Sequence, residues 1–167
     1  PILTRLIFDQ EAARKWLTNG KPGTDSIVLR NMDLDRPVEI KVVSGKRAGS
    51  SLVSRWSSGV VFDEAPRMCG QDSAVVNLDD SRKAVLGRLL PGAGLFMIGS
   101  PWAPMGPTYE MYTESFGAPT RERIVIKAPG PILNPHWWTP DRCARLKEAD
   151  ADAYTTDVRA EFCDVEE

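Results

Sequence analysis

Two short apolar runs, Val60-Val61-Phe62 and Leu95-Phe96-Met97-Ile98, contain no polar residue at alternate positions. A strand with one wet face alternates, so a strand without alternation predicts burial on both faces. Six segments read as strands on their Ile, Val, Leu and Phe content: residues 2–8, 26–29, 38–43, 59–62, 94–98 and 123–127. Helical stretches lie between them. Asp9 is placed to cap one in which Ala12, Ala13, Trp16 and Leu17 share a face, and Asn19-Gly20 stops it. Asp79 or Asp80 opens a second, with Val85, Leu86, Leu89 and Leu90 inward and Pro91-Gly92 ending it. Thr108 caps a short third, with Tyr109, Met111 and Tyr112. Thr139-Pro140-Asp141 supplies the cap, first-turn proline and early acid of a fourth. Asp152 begins a fifth, with Tyr154, Val158 and Phe162 four residues apart. Strands that alternate with helices predict an α/β fold.

Composition narrows the function classes. Lys and Arg number 21 against 23 Asp and Glu, a net charge of −2, which removes the strongly basic nucleic-acid binders and leaves DNA contact to local basic loops. With 42% hydrophobic and 26% charged residues the chain has the balance of a globular protein, not a disordered one. No apolar stretch approaches the roughly 20 residues of a membrane helix, so no membrane partner is expected. The chain shows no secretory leader pattern. Its cysteines, Cys69, Cys143 and Cys163, are far apart, and His136 is the only histidine, which argues against a four-ligand zinc site. An odd count of thiols fits a cytoplasmic location, with each cysteine a small buried hydrophobe.

Chemistry concentrates in Val60-Val61-Phe62-Asp63-Glu64-Ala65. An apolar strand that ends in Asp-Glu has the spelling of a Walker B motif. The carboxyl end of a strand is where α/β sheets bind ligands. An Asp there holds Mg2+, directly or through water, and a neighbouring carboxylate orients the water that attacks a γ-phosphate. A solvated acidic turn has the same spelling, so context must decide. A second apolar strand runs into Gly99-Ser100-Pro101, which puts a small hydroxyl at a strand end suited to sensing phosphate.

The stretch Gly45-Lys46-Arg47-Ala48-Gly49-Ser50-Ser51 has the look of a phosphate loop but departs from it. The two glycines are too close, and Ser50 stands where the lysine belongs. Gly49 to Asp63 also leaves no room for both a helix and a strand. Residues 44–58 therefore read as a basic loop between strands, whose Lys46, Arg47 and Arg55 are available to phosphate; a deviant phosphate loop with its lysine at Lys46 is the other reading.

In this order the segments resemble the ATPase motor of the large terminase subunit of tailed bacteriophages. Residues 5–14 resemble the strand and helix after that family's phosphate-loop helix. Residues 38–43 with 45–56 resemble its approach to Walker B, where an arginine often stands near the position of Arg55. Val60 to Ala65 matches Walker B and the catalytic glutamate, and Ile98 to Trp102 with Gly106 to Glu110 resembles its coupling motif and the next helix. Asn134-Pro135 and the helices to Phe162 resemble the end of the ATPase domain. The resemblance implies a partial P-loop NTPase-like α/β fold, with a mostly parallel central sheet flanked by helices. Its divisions are an ATPase core at 1–130 and a helical part at 131–167.

That family's Walker A loop would precede Pro1 and its nuclease domain would follow Glu167, so the chain reads as a fragment or a remnant that holds nucleotide weakly alone. The implied cofactors are ATP and Mg2+. Asp63 serves the metal and Glu64 the attacking water. Ser100 reads nucleotide state, and Arg55, with Arg47 second, approaches phosphate within its own subunit or across a ring interface. Implied partners are double-stranded DNA, a portal protein, a small terminase subunit and further copies in a homo-oligomeric ring, in a host cell's cytoplasm. Two other readings stand beside this one. Asp63-Glu64-Ala65 and Ser100 also resemble the first motor domain of a helicase. A non-catalytic remnant that binds another protein is the second. Trp16 reads as core, Met68 and Met97 as packing residues, Asp79-Asp80 as a cap, and Trp137-Trp138 as a packed seam or a platform for a base.

Overall fold

The computed structural model describes residues 23–31, 36–43, 55–68 and 77–163. The expected strand at 2–8, the helix with Trp16, and Lys46, Arg47 and Cys69 lie outside the described residues. The chain divides into two compact units, Pro1–Ala48 and Gly49–Glu167. The boundary expected near residue 130 falls inside the second.

In the first unit β1 (Ser26–Asn31) and β2 (Arg36–Lys41) pair antiparallel, with Ile27 opposite Ile40 and Leu29 opposite Val38. Ile27 is buried, whereas Val38 and Ile40 are exposed. Val42 N–H donates to the Asp25 carbonyl at 2.7 Å and extends the pairing beyond the strand.

The second unit is built on a parallel pair. β3 (Ser57–Phe62) lies beside β4 (Leu89–Met97) with Val60, Val61 and Phe62 opposite Leu95, Phe96 and Met97. Parallel neighbours need a crossover, and helix α1 (Leu78–Leu86) lies within this one. Phe62, Ala65, Leu78 and Val85 form the buried core, with Val60, Met68, Leu89, Leu95 and Met97 packed against it. Met68 and Met97 are thus packing residues, as their sequence context predicts. The described residues therefore form a mixed α/β structure with one parallel and one antiparallel two-stranded ladder.

Burial in β3 and β4 is one-sided, which corrects the expectation from the unbroken apolar runs. Val60, Phe62, Leu95 and Met97 face the core, while Val61 and Phe96 are each 58% exposed. One helix covers one face. Lack of alternation reports what a strand can tolerate, and the number of layers reports what covers it.

Helix α1 is capped two or three residues earlier than expected, by Asn77 instead of Asp79 or Asp80. The Asn77 side-chain oxygen accepts from the Asp79 and Asp80 N–H groups at 2.9 and 3.3 Å. The two acids occupy the first turn, where the helix dipole favours negative charge. The helix stops at Leu86, which is exposed, and Leu89 and Leu90 already belong to β4. Pro91-Gly92 sits inside β4, where the register slips between Ser57 and Gly59 and Gly92 adopts φ 80°. A proline cannot join the ladder and a glycine alone takes that φ easily, so the pair makes a bulge rather than a helix stop.

Four more helices follow. α2 (Gly106–Ser115) has Met105 as its cap residue and Pro107 in its first turn, so Thr108 is not the cap. α3 (Gly130–Leu133) is one turn. α4 (Pro140–Ala149) opens on Thr139, whose hydroxyl accepts from Arg142 N–H at 3.4 Å, as its sequence predicts. Asp150 caps the short α5 (Ala151–Ala153), accepting from Ala153 N–H at 2.8 Å, and the chain continues through a π-type turn, Tyr154–Val158. Phe162 lies beyond that turn and packs on Tyr109 and Tyr112 of α2 at ring separations of 4.9 and 5.1 Å.

The expected strand at 123–127 is reduced to a single bridge between Val125 and Phe116. Ile124 and Ile126 stay exposed, and among the described residues no strand lies beside them to make a ladder. The segment is held by side chains instead, with Arg123 on Glu114 at 2.8 Å and Lys127 over the Tyr112 ring at 5.2 Å.

Leu78 is fully buried in the small core. Leu78→Ala is expected to cost about 2–5 kcal/mol of unfolding free energy, read from the urea midpoint. A loss below about 1 kcal/mol contradicts the core described here.

Candidate functional site

The acids and the serine arrive together because the two strands end together. Past the last ladder pair, Ile98 N–H donates to the Phe62 carbonyl at 2.9 Å and Ala65 N–H donates to the Ile98 carbonyl at 3.0 Å. These bonds carry the ladder into the turn that follows β3. Asp63 and Glu64 form that turn at the carboxyl end of the strand, and Gly99-Ser100 continues β4 beside it.

Glycine is required at 99. Its φ is 150°, and a Cβ there would lie 2.8 Å from the Pro66 ring and 3.0 Å from the Glu64 Cα. Neither atom is the tip of a flexible side chain. The loop that carries Ser100 is therefore pressed against the backbone of Glu64. Glu64 adopts a left-handed conformation, φ 53° and ψ 36°, and starts the single 3-10 turn Ala65–Arg67. That conformation costs a residue with a Cβ roughly 1–2 kcal/mol.

Asp63 and Glu64 are both exposed, so each carboxylate is hydrated. The Glu64 Oε2 meets Arg67 Nε at 3.5 Å. The same guanidinium lies over the Trp102 ring, 4.2 Å from its centroid. Neither Arg67 nor Trp102 stands out as a site residue in the sequence, because no motif joins an arginine after Walker B to a tryptophan on another loop.

Arg55 is exposed and precedes β3, so it stands at the amino end of the strand that has Asp63 at its carboxyl end. Six strand residues span about 20 Å. Within one chain the strand holds Arg55 apart from Glu64. Arg47 lies outside the described residues.

Ser100 is half-buried and opens on a hollow of about 320 Å³ lined by Pro101, Leu133, Trp138, Thr156 and Asp157. Trp138 presses on Gly130, where a Cβ would lie 2.7 Å from the indole nitrogen. Trp137 differs: it is 53% exposed and stacked by Arg142 at 3.7 Å. The two tryptophans thus divide between packing and surface.

Among the described residues no group of three or more His, Cys, Asp and Glu could hold a metal ion. Mg2+ does not need such a group. It keeps several waters and takes one or two carboxylates together with substrate phosphates. An exposed Asp63 beside an exposed Glu64 fits that role and does not fit a tight all-protein cage. No helix among the described residues is long and apolar enough to cross a membrane. Cys143 and Cys163 are half-buried, less enclosed than their sequence suggests.

Comparison with protein families, with curated proteins and with solved structures finds no match to this chain.

Gly99→Ala is expected to destabilise the unit by about 1–3 kcal/mol, because neither backbone can yield. Glu64→Gly is expected to leave the melting temperature unchanged or raise it, since relief of the left-handed strain exceeds the roughly 0.2–1 kcal/mol of an exposed ion pair. Calorimetry on both variants checks the pair of signs.

Proposed function

We propose that Asp63, Glu64 and Ser100 form part of a nucleoside-triphosphate site, and that the chain belongs to a terminase-type ATPase that moves double-stranded DNA. One observation carries this reading. Parallel neighbours end in register, with two carboxylates on one strand and a hydroxyl on the next. Ligands of open α/β sheets bind at that end of the strands. The resemblance of the ordered motifs supplies the rest: a P-loop NTPase-like fold, ATP and Mg2+ as cofactors, and a portal protein, a small terminase subunit and a ring of copies as partners.

In this reading Asp63 would hold Mg2+ directly or through water, and the ion would supply charge neutralisation for the phosphates. Glu64 would accept a hydrogen bond from the attacking water and take its proton as the water oxygen bonds to the γ-phosphorus and the bond from that phosphorus to the bridging oxygen breaks, its electron pair leaving on the nucleoside diphosphate. Ser100 donates its hydroxyl to the terminal phosphate. Gly99 packs closely on Glu64, which joins the loop that carries Ser100 to the turn that bears the base. Arg55 stands at the far end of β3, which leaves it to act on a neighbouring subunit's phosphate in a ring.

The test is hydrolysis and binding of Mg·ATP by the full-length protein. Glu64→Gln is expected to lower kcat about 10²–10⁴-fold while nucleotide affinity stays within a few-fold. Normal turnover by that variant removes Glu64 from catalysis. Loss of affinity without loss of kcat makes it a binding residue instead.

A further inference from the structure

One side chain, Arg67, meets both Glu64 and Trp102. Arg67 places Nε 3.5 Å from the Glu64 carboxylate and its guanidinium 4.2 Å from the centre of the Trp102 ring. We propose that Arg67 is a positioning residue: seated on Trp102, it sets the Glu64 carboxylate and passes displacements of the 99–102 loop to it. This deepens the nucleotide-site reading above and rests on it for its catalytic meaning.

The argument starts from the strength of each contact. An exposed ion pair at 3.5 Å contributes little alone, since both partners can turn to water. An arginine stacked on an indole adds a second restraint, and tryptophan is the strongest ring for it. Held by both, the guanidinium loses the freedom that makes single surface pairs weak.

Both ends of the bridge are anchored. The backbone of Glu64 is pinned by Ala65 N–H on the Ile98 carbonyl and by the press of Gly99, so only its side chain can respond. Trp102 is tied through its own carbonyl, which accepts from Cys163 N–H at 3.0 Å. Next to that bond, Phe162 packs on Tyr109 and Tyr112 of α2. A ligand drawn to Ser100 therefore acts two residues from the ring that seats Arg67. The carboxylate that Arg67 aligns is the one placed for the attacking water. A lysine at 67 would keep the charge but lose the flat stack, which separates this role from simple charge pairing.

The test is 19F NMR of the chain labelled with 5-fluorotryptophan, with the Trp102 resonance assigned by its loss in Trp102→Phe. Glu64→Gln is expected to shift the Trp102 resonance. In an Arg67→Ala background the same substitution is expected to shift it no further. A Trp102 resonance indifferent to Glu64→Gln, or a shift that persists without Arg67, overturns the link. This readout needs no nucleotide. In the hydrolysing protein Arg67→Ala is expected to lower kcat about tenfold with KM within twofold, and Arg67→Lys to recover only part of the loss. A kcat unchanged by Arg67→Ala overturns the positioning role. If Glu64→Gln leaves hydrolysis intact, the nucleotide reading falls while the NMR link stands or falls by itself. If the link fails while hydrolysis needs Glu64, only the role of Arg67 is lost.

Discussion

Two hydrogen bonds beyond the ends of β3 and β4 fix everything at the rim. Ile98 N–H on the Phe62 carbonyl and Ala65 N–H on the Ile98 carbonyl continue the parallel ladder into the turn. A backbone held this way needs a neighbour without a side chain, and Gly99 is that neighbour. The acids, the serine and the Arg67–Trp102 contact all inherit their positions from this join. An ion pair or a ring stack on the surface is weak alone; it becomes geometry when the backbones beneath it cannot move.

The core strands were legible in the sequence because Val60-Val61-Phe62 and Leu95-Phe96-Met97 are rich in residues that fit a pleated surface. The helical pattern between them, with Val85 on its apolar face, pointed to an α/β fold. Thr139-Pro140-Asp141 was readable for a local reason: cap, first-turn proline and early acid act within one helical turn. One-sided burial was not readable. Periodicity describes a strand, and burial depends on how many layers fold over it, which no short run encodes. Pro91-Gly92 misled for a related reason, since a helix stop and a strand bulge ask for the same two residues. The 123–127 segment has strand-like residues and only one bridge to another segment, so propensity without a neighbour made no ladder.

At the site, the legible part was the part spelled by neighbours in the chain: Asp63 with Glu64, and Ser100 at the end of its run. Arg67 and Trp102 were hidden because their contact joins two loops with no shared spacing. Asn77 was passed over as a cap in favour of Asp79 and Asp80, although all three serve the same helix end. The amide oxygen closes the first turn and the two carboxylates meet the dipole behind it. Charge patterning alone could not rank them.

The bond from Cys163 N–H to the Trp102 carbonyl joins the tail of the described chain to the serine loop. Residues 161–163 are held by that bond, by Glu161 N–H on the Thr155 carbonyl, by Cys163 Sγ on the Asp152 carbonyl and by the aromatic seat of Phe162. A displacement of this segment would thereby reach the backbone two residues from Ser100.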